Sequence, residues 1–476
     1  MGYIEGYSRK QTLLFPEVLD DYVATENPVR FIDAYVDSLN LVEFGFTQSI
    51  PKEIGRPPYN PGDLLKLYIY GYLNHVRSSR NLEKSTHRNI ELIWLLRKLR
   101  PDFKTIADFR RDNAKAIKQV CRNFTLLCKK LELFAGELIA IDSSDFKAVN
   151  SKSRNFSKKE IKNILKQINE KIDAYFVELN HQDQAEAGVS TPDAETLKAK
   201  IEKLQSRKEK FSNLKEQLET SGESQVSLTD PDSRCLKKAK KNIVGYKVQI
   251  VTDDKHKLIV THEVTNDRTD NNQLAHMAIT AKEILGVEEL EAITDKGYYG
   301  GDEVKKCQDE DITCFIPKVQ HSGNEKYGLF TKDDFIYDAQ KDCYTCPAHE
   351  ILSYRGTEIR REKEIRRYST SACKTCTLRS KCTKSTKNRQ TIYRWVHEAV
   401  LEQMHERVLQ NPEKLAKRKQ LVEHPFGTIK TAMQQGYFLS KKLVNVSTEM
   451  SLTVLAYNLK RVINIVGVKE LLNAIS

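Results

Sequence analysis

Two aspartates and one glutamate, far apart in a chain of 476 residues, sit in contexts that suit phosphoryl-transfer chemistry. Asp142 ends the apolar run of Leu138 to Ile141 and is followed by Ser143 and Ser144. Asp295 follows Ala292 to Thr294 and leads into Lys296-Gly-Tyr298-Tyr. Glu423 lies inside the helical pattern Val422-Glu423-His-Pro-Phe-Gly-Thr-Ile-Lys430. Mg²⁺ is a hard cation, usually held by one or two carboxylates plus substrate phosphates. Two such ions about 3.5–4 Å apart activate the attacking and leaving oxygens of an in-line phosphoryl displacement. A lone aspartate after a strand more often starts a turn or caps a helix. The three acids with their flanking residues reverse that preference and point to an enzyme that cuts and joins DNA. Asp145, three residues beyond Asp142, is a weaker ligand, because an odd offset on an extended strand turns it to the opposite face.

The elements that must position these acids read as an α/β core. The two short apolar runs suit buried central strands, and neighbouring strands lie about 4.8 Å apart, so carboxylates at matching positions can share a cation. Between them, Ile243 to Thr252 and Leu258 to Val264 flank the polar turn Asp-Asp-Lys-His-Lys and predict a hairpin. An amphipathic helix over Asn271 to Leu285 precedes the Asp295 strand. Strand, hairpin, helix, strand is the order of an RNase H-like core, with the third acid on a later helix. On that helix Val422, Phe426, Ile429 and Met433 define one buried face. Glu423 and Lys430 project together from a neighbouring face, and Pro425 is expected to start or kink the helix.

With those motifs in place the chain resembles the DDE transposases of bacterial insertion sequences, in particular the IS1182 group within the wider IS4/IS5-like assemblage. The resemblance covers nearly the whole chain. It rests on Tyr59-Asn-Pro-Gly-Asp-Leu-Leu-Lys, Arg100-Pro-Asp-Phe-Lys-Thr-Ile-Ala-Asp-Phe-Arg110, Ile141-Asp-Ser-Ser-Asp-Phe-Lys-Ala, Val244-Gly-Tyr-Lys-Val-Gln249, Thr294-Asp-Lys-Gly-Tyr-Tyr and Glu423-His-Pro-Phe-Gly-Thr-Ile-Lys430. It implies that Asp142, Asp295 and Glu423 hold two Mg²⁺ (or Mn²⁺) ions per active site and that Lys430 contacts a phosphate. The implied activity binds the element's terminal inverted repeats, cleaves at its ends and transfers the strand. The related IS4-type signature places a Tyr and an Arg upstream of the glutamate; here those positions are Ala416 and Lys419, and Arg418, one residue displaced, is the substitute. An RNase H-like nuclease or resolvase, or a catalytically silent DNA-binding descendant of a transposase, are the alternatives.

Composition agrees. Lys and Arg number 77 against 65 Asp and Glu, a formal charge of +12 that favours a polyanionic partner. Basic residues are dense over Arg77 to Arg88, Arg97 to Arg111 and Lys414 to Lys419, and such clusters supply sequence-independent phosphate binding. Arg80, Arg110, Arg111, Lys296, Tyr298, Arg418 and Lys430 are the expected contacts to double-stranded DNA. The first 135 residues read as helical: Asn60 caps a helix with Pro61 at its first position, and Thr105 with Asp108 starts another before Phe109 to Leu127. They suit a DNA-binding or dimerisation region and, equally, a bundle packed on the core.

The expected division is a helical region over 1–135, core over 136–156, an inserted coiled-coil hairpin over 157–222, core over 223–318, a cysteine-rich insertion over 319–395, and a C-terminal helical part over 396–476 carrying Glu423. The hairpin follows from Ile161, Leu165, Ile168, Ile172, Tyr175 and Leu179 at steps of four and three, and from Leu197, Leu204, Phe211 and Leu218 at steps of seven, with His181 to Asp193 between. Its open roles are to pair transposase copies, to lie along DNA, or none beyond a tolerated insertion; a synaptic complex needs at least two subunits, which favours homodimer contact. The insertion holds five of the 10 cysteines: Cys343, Cys346, Cys373, Cys376 and Cys382. Paired C-x-x-C spacings predict structural Zn²⁺. The sequence starts without a secretory pattern and has no apolar run of about 18 residues, which predicts a cytoplasmic, nucleoid-associated protein without a membrane span or disulfides.

Overall fold

The computed structural model describes residues 18–50, 57–185, 192–237, 242–318, 324, 327–383 and 390–475. The start of the chain and the middle of the expected turn at His181 to Asp193, residues 186–191, lie outside the described residues. The chain opens with helices α1 (Pro28–Asp37), α2 (Pro61–Leu73), α3 (Ser79–Thr86), α4 (Ile90–Leu95), α5 (Phe103–Asp112) and α6 (Ala114–Lys130). Strands β1 (Leu138–Lys147) and β2 (Asn155–Ser157) lead to the long helices α7 (Lys158–Ala185) and α8 (Pro192–Thr220). Then come β3 (Gln225–Ser227), β4 (Arg234–Lys237), β5 (Asn242–Asp253), β6 (Ile259–Thr265), α9 (Leu274–Leu285), β7 (Leu290–Ile293), α10 (Gly301–Asp309) and β8 (Ile312–Phe315). A second sheet comprises β9 (Ile336–Asp338), β10 (Cys343–Thr345), β11 (Ile351–Arg360), β12 (Lys363–Ser369) and β13 (Thr391–Trp395), with α11 (Arg379–Cys382) beside it. Helices α12 (Glu398–Gln410), α13 (Pro412–Gly427), α14 (Leu443–Val466) and α15 (Val468–Ile475) finish the chain.

The fold is mixed α/β. Its main sheet runs β4-β5-β1-β7-β8, with β6 also on the outer edge of β5. β1, β5 and β6 pair antiparallel, whereas β7 and β8 run parallel to β1. The expected hairpin and helix stand where the residue pattern placed them. Gly245 is required by close approach: a Cβ there would lie 2.0 Å from the Phe146 carbonyl oxygen. Alternation sorts β1 into two faces. Ile139 and Ile141 pack with α9, α10 and α12, while Leu138 and Ala140 pack with Ile293, Phe315, Leu421 and Val422 under α13.

The helical region does not form a core of its own. Residues of α1 to α6 share one buried cluster with β5, β6, α14 and α15, and nearly every residue of α14 between Val446 and Leu459 is buried. The N-terminal helices therefore pack directly on the core. Asn60 accepts from the Gly62 amide at 2.7 Å, as expected of a cap. The next helix start is corrected: Asp102, not Thr105, caps α5 by accepting from Lys104 and Thr105 amides, and the chain breaks at Asn113 before α6. Arg77, counted in a basic cluster, is buried against Glu449 at 3.3 Å and donates to the Tyr437 carbonyl at 2.9 Å.

Helices α7 and α8 pack on each other. Ile161, Ile168 and Ile172 meet Phe211 and Leu218 near the sheet, while Leu179 meets Leu197 and Ile201 at the far end, which makes the pair antiparallel. Their short flanking strands β2 and β3 pair with each other and close the base of the hairpin.

Candidate active site

The register of β1 against β7 brings the two aspartates together. Ala140 is opposite Ile293 at the end of the parallel ladder; Asp142 follows two residues further along β1, and Asp295 lies two residues past the end of β7, near enough for its charge to act on Asp142. Asp295 begins a tight turn: its Oδ1 accepts from the Gly297 amide at 2.7 Å, capping Lys296–Tyr298. Burial pushes the Asp142 carboxyl up to about 6; the Ser143 amide and Arg418 oppose the rise, and the negative charges of Asp295 and Asp270 add to it. Burial there therefore disfavours the ionised form of Asp142.

Helix α13 supplies the other charged groups. Arg418 Nη1 lies 3.6 Å from Asp142 Oδ2, so the displaced arginine does face the site, as a counter-ion to the first aspartate. Glu423 is on the solvent side with a side-chain exposure of 66%, 3.9 Å from Lys419. Pro425 neither starts nor breaks the helix; the chain continues and then widens into a π-turn over Thr428–Ala432. Such turns are frequent at functional sites. Within it Lys430 donates to Ser144 Oγ at 2.6 Å and to the Asp145 carbonyl at 2.9 Å, tying α13 to β1 just beyond Asp142. Among the described residues no three His, Cys, Asp or Glu side chains are grouped closely enough to hold a metal ion as they stand. Asp142 and Asp295 fit a hard divalent cation in kind, since Mg²⁺ takes one or two protein carboxylates and completes its shell with water and phosphate.

Two expected DNA contacts face inward. Tyr298 is fully buried and donates to Gln249 Oε1, and Arg110 packs over the Tyr68 ring at 5.6 Å and donates to the Tyr72 hydroxyl at 3.4 Å. Sequence reading counted both by residue type; their apolar neighbours in the fold take them instead. Arg111 is exposed but bound to Asp108 and Asp112. Arg80, stacked on Phe103, and Lys296 are exposed. Asp270 was missed. It lies in the loop before α9 and accepts from Lys247 Nζ at 2.9 Å and Gln249 Nε2 at 2.7 Å. Only the proximity of β5 reveals it; no local pattern marks it.

Among the cysteines, Cys346, Cys373, Cys376 and Cys382 line one apolar cavity of about 30 Å³. Burial and the other three thiols push Cys382 up to about 11. Cys343 is not with them. It sits in β10 and is not among the residues that line that cavity.

Asp142, Arg418 and Lys430 meet on the α13 side of β1, and two family matches give the class of the protein. Residues 17–112 match a family described as a transposase domain (DUF772), and residues 345–463 match one described as a transposase DDE domain. Both matches are to transposase domains, and the chain is a DDE-type DNA transposase. The second match includes Glu423 and Lys430 but stops short of both aspartates. No curated protein matches the chain. Among solved structures, the cryo-EM structure of a piggyBac transposase synaptic complex with hairpin DNA is similar at 9% identity and a TM-score of 0.32, over 94% of this chain and 79% of that chain. A likeness that loose transfers no residue or element. Among the described residues no helix is long and apolar enough to cross a membrane.

Proposed function

We propose that this transposase cleaves at the ends of its element and transfers the strand through Asp142, Asp295 and Glu423, set in an RNase H-like core. The observation that supports the reading is that Asp142 on β1 and Asp295, just past the end of the neighbouring parallel strand β7, are near enough for their charges to interact, with Arg418 of α13 beside Asp142. Divalent ions bound there would lower the pKa of a bound water and offset charge gathering on the phosphorus. The protein's part is to hold them: Asp142 and Asp295 from the sheet, Glu423 by turning in from the rim of α13. Arg418 balances Asp142 before loading, and Lys430 keeps α13 on β1 with its charge beside the path of a phosphate. The reaction is hydrolysis of the phosphodiester at the element's end, then attack of the freed 3′-hydroxyl on a second phosphodiester of duplex DNA.

The hairpin over 157–222 and the cysteine-bearing segment over 319–395 are read as insertions in that core, the first suited to contact between two copies in a synaptic dimer. Cys346, Cys373, Cys376 and Cys382 are the thiols proposed for structural Zn²⁺, drawn inward from the walls of their shared cavity. A thiolate set of four suits a tetrahedral ion. The test of the main reading is a Mg²⁺-dependent cleavage and strand-transfer assay on labelled terminal-repeat DNA. Asp142→Ala, Asp295→Ala and Glu423→Ala should each abolish 3′-hydroxyl ends while retaining end binding. Wild-type cleavage by any of the three removes that residue from the site. Cleavage without strand transfer by the wild type would favour the nuclease reading.

A further inference from the structure

The acid the motifs did not mark, Asp270, stands behind the proposed pair. Its two oxygens reach two residues of β5: Oδ2 accepts from Lys247 Nζ at 2.9 Å, and Oδ1 from Gln249 Nε2 at 2.7 Å. Gln249 is fully buried, and its remaining oxygen accepts the hydroxyl of Tyr298, also fully buried. Tyr298 is the last residue of the turn that Asp295 caps. The path from Asp270 to that turn is therefore two hydrogen bonds long, and its inner half, from Gln249 to Tyr298, is fully buried. A buried amide offered a single acceptor and a single donor has no other arrangement at equal cost. Gly297 marks how tightly the turn is drawn against both acids: a Cβ on it would lie 2.9 Å from Asp295 Oδ1 and 3.7 Å from Asp270 Oδ2.

We propose that Asp270 is a positioning residue, which fixes the Gln249 amide so that Tyr298 holds the Asp295 turn in the geometry that receives a divalent cation. This rests on the reading of Asp142 and Asp295 as ligands, and it adds a residue that touches neither DNA nor ion. Lys247 neutralises the carboxylate, so the role is orientation rather than added negative charge. Outer partners of metal-site carboxylates commonly change metal affinity by about 10–100-fold when removed.

The test measures thermal stabilisation of the full-length protein by Mg²⁺, with Mn²⁺ binding by electron paramagnetic resonance as a second readout, alongside cleavage. Asp270→Ala should raise the half-saturating Mg²⁺ concentration about tenfold or more, with end-DNA binding unchanged and cleavage recovering at high Mg²⁺. Asp270→Asn keeps an acceptor for Gln249 and should stay near wild type. Tyr298→Phe, which deletes a single hydroxyl, should shift the half-saturation in the same direction as the alanine, and it serves should Asp270→Ala fail to fold. Unchanged half-saturation in both Asp270→Ala and Tyr298→Phe overturns the proposal. So does an Asp270→Asn variant as impaired as the alanine, because charge would then be the cause. Asp142→Ala separates the two levels: if it retains the Mg²⁺ shift, the ligand reading fails; if it loses the shift while Asp270→Ala does not, only the present inference fails.

Discussion

Replacing Asp142 by Asn should stabilise the metal-free protein while abolishing cleavage. Asp142 has a side-chain exposure of 23%, and its carboxyl rises from 3.8 to about 6 in the fold, chiefly through desolvation. A raised acid is favoured in its neutral form, so the stability it allows is complete below its unfolded value and is lost as pH rises through the folded value. A rise of that size corresponds to a loss of roughly 3 kcal/mol at pH 8 and about 1.6 kcal/mol at pH 5, where the folded carboxyl is largely protonated. Asn keeps the acceptor for the Ser143 amide and removes the charge, so it should gain about those amounts. In a protein this large that is a melting shift on the order of a few degrees. The measurement is thermal unfolding of both proteins in chelator at the two pH values, repeated with Mg²⁺. The variant should melt higher at pH 8, lose about half its advantage at pH 5, and gain nothing from Mg²⁺, whereas the wild type should gain. An Asp142→Asn protein no more stable than wild type at pH 8, or an advantage independent of pH, would refute the view that this site stores charge repulsion for a cation to relieve.

The same raised carboxyl gives cleavage an acid limb: below about pH 6 Asp142 must release a proton before a cation binds, so the rate should fall as pH drops and recover in part at higher Mg²⁺. A rate flat from pH 7.5 to 5 at limiting Mg²⁺ would contradict it. Arg77→Met should cost about 3–5 kcal/mol by leaving Glu449 charged and buried, and the double variant with Glu449→Met should regain much of the loss in chemical denaturation. Additive losses in that cycle would show that the pair does not act as a unit. Ile168→Asp should melt the α7–α8 hairpin, whose buried clusters are separate from the core, and lower the helical circular-dichroism signal without moving the main transition. A single cooperative loss would join hairpin and core. Cys376→Ser should lower bound zinc, measured by metal analysis of purified protein, while Cys343→Ser leaves it unchanged; the reverse order would restore the C-x-x-C knuckle.

What could be seen in the sequence divides by range of interaction. The apolar runs before Asp142 and Asp295 were legible as strands, because a strand needs only local apolar character, and they pair in parallel as β1 and β7. The Asn60 cap and the seams of α7 and α8 are likewise local. Tyr298 looked like a DNA-facing aromatic because a turn beside an acid is usually wet, yet Gln249 of β5 draws it inside. Arg418 departed from the family's spacing by one residue, but helix phase puts it on the Val422 face, where it meets Asp142. The helical N-terminal region could not declare its partner, because α14 begins more than three hundred residues after α2 and fills the space between that bundle and β6.

These misses share one physical cause and lead to one consequence for the enzyme. Arg77 and Glu449 tie the N-terminal bundle to α14, and Glu449 also accepts the amides of Leu439 and Ser440, in the loop that follows the π-turn. That loop also reaches the end of β1, where the Phe438 amide donates to the Lys147 carbonyl at 2.9 Å. The helix bearing Glu423 is thus held from both sides of its π-turn, by Lys430 on β1 and by a loop that the N-terminal bundle anchors. The long-range packing that hid from sequence is therefore the packing that fixes the helix bearing Glu423 against β1.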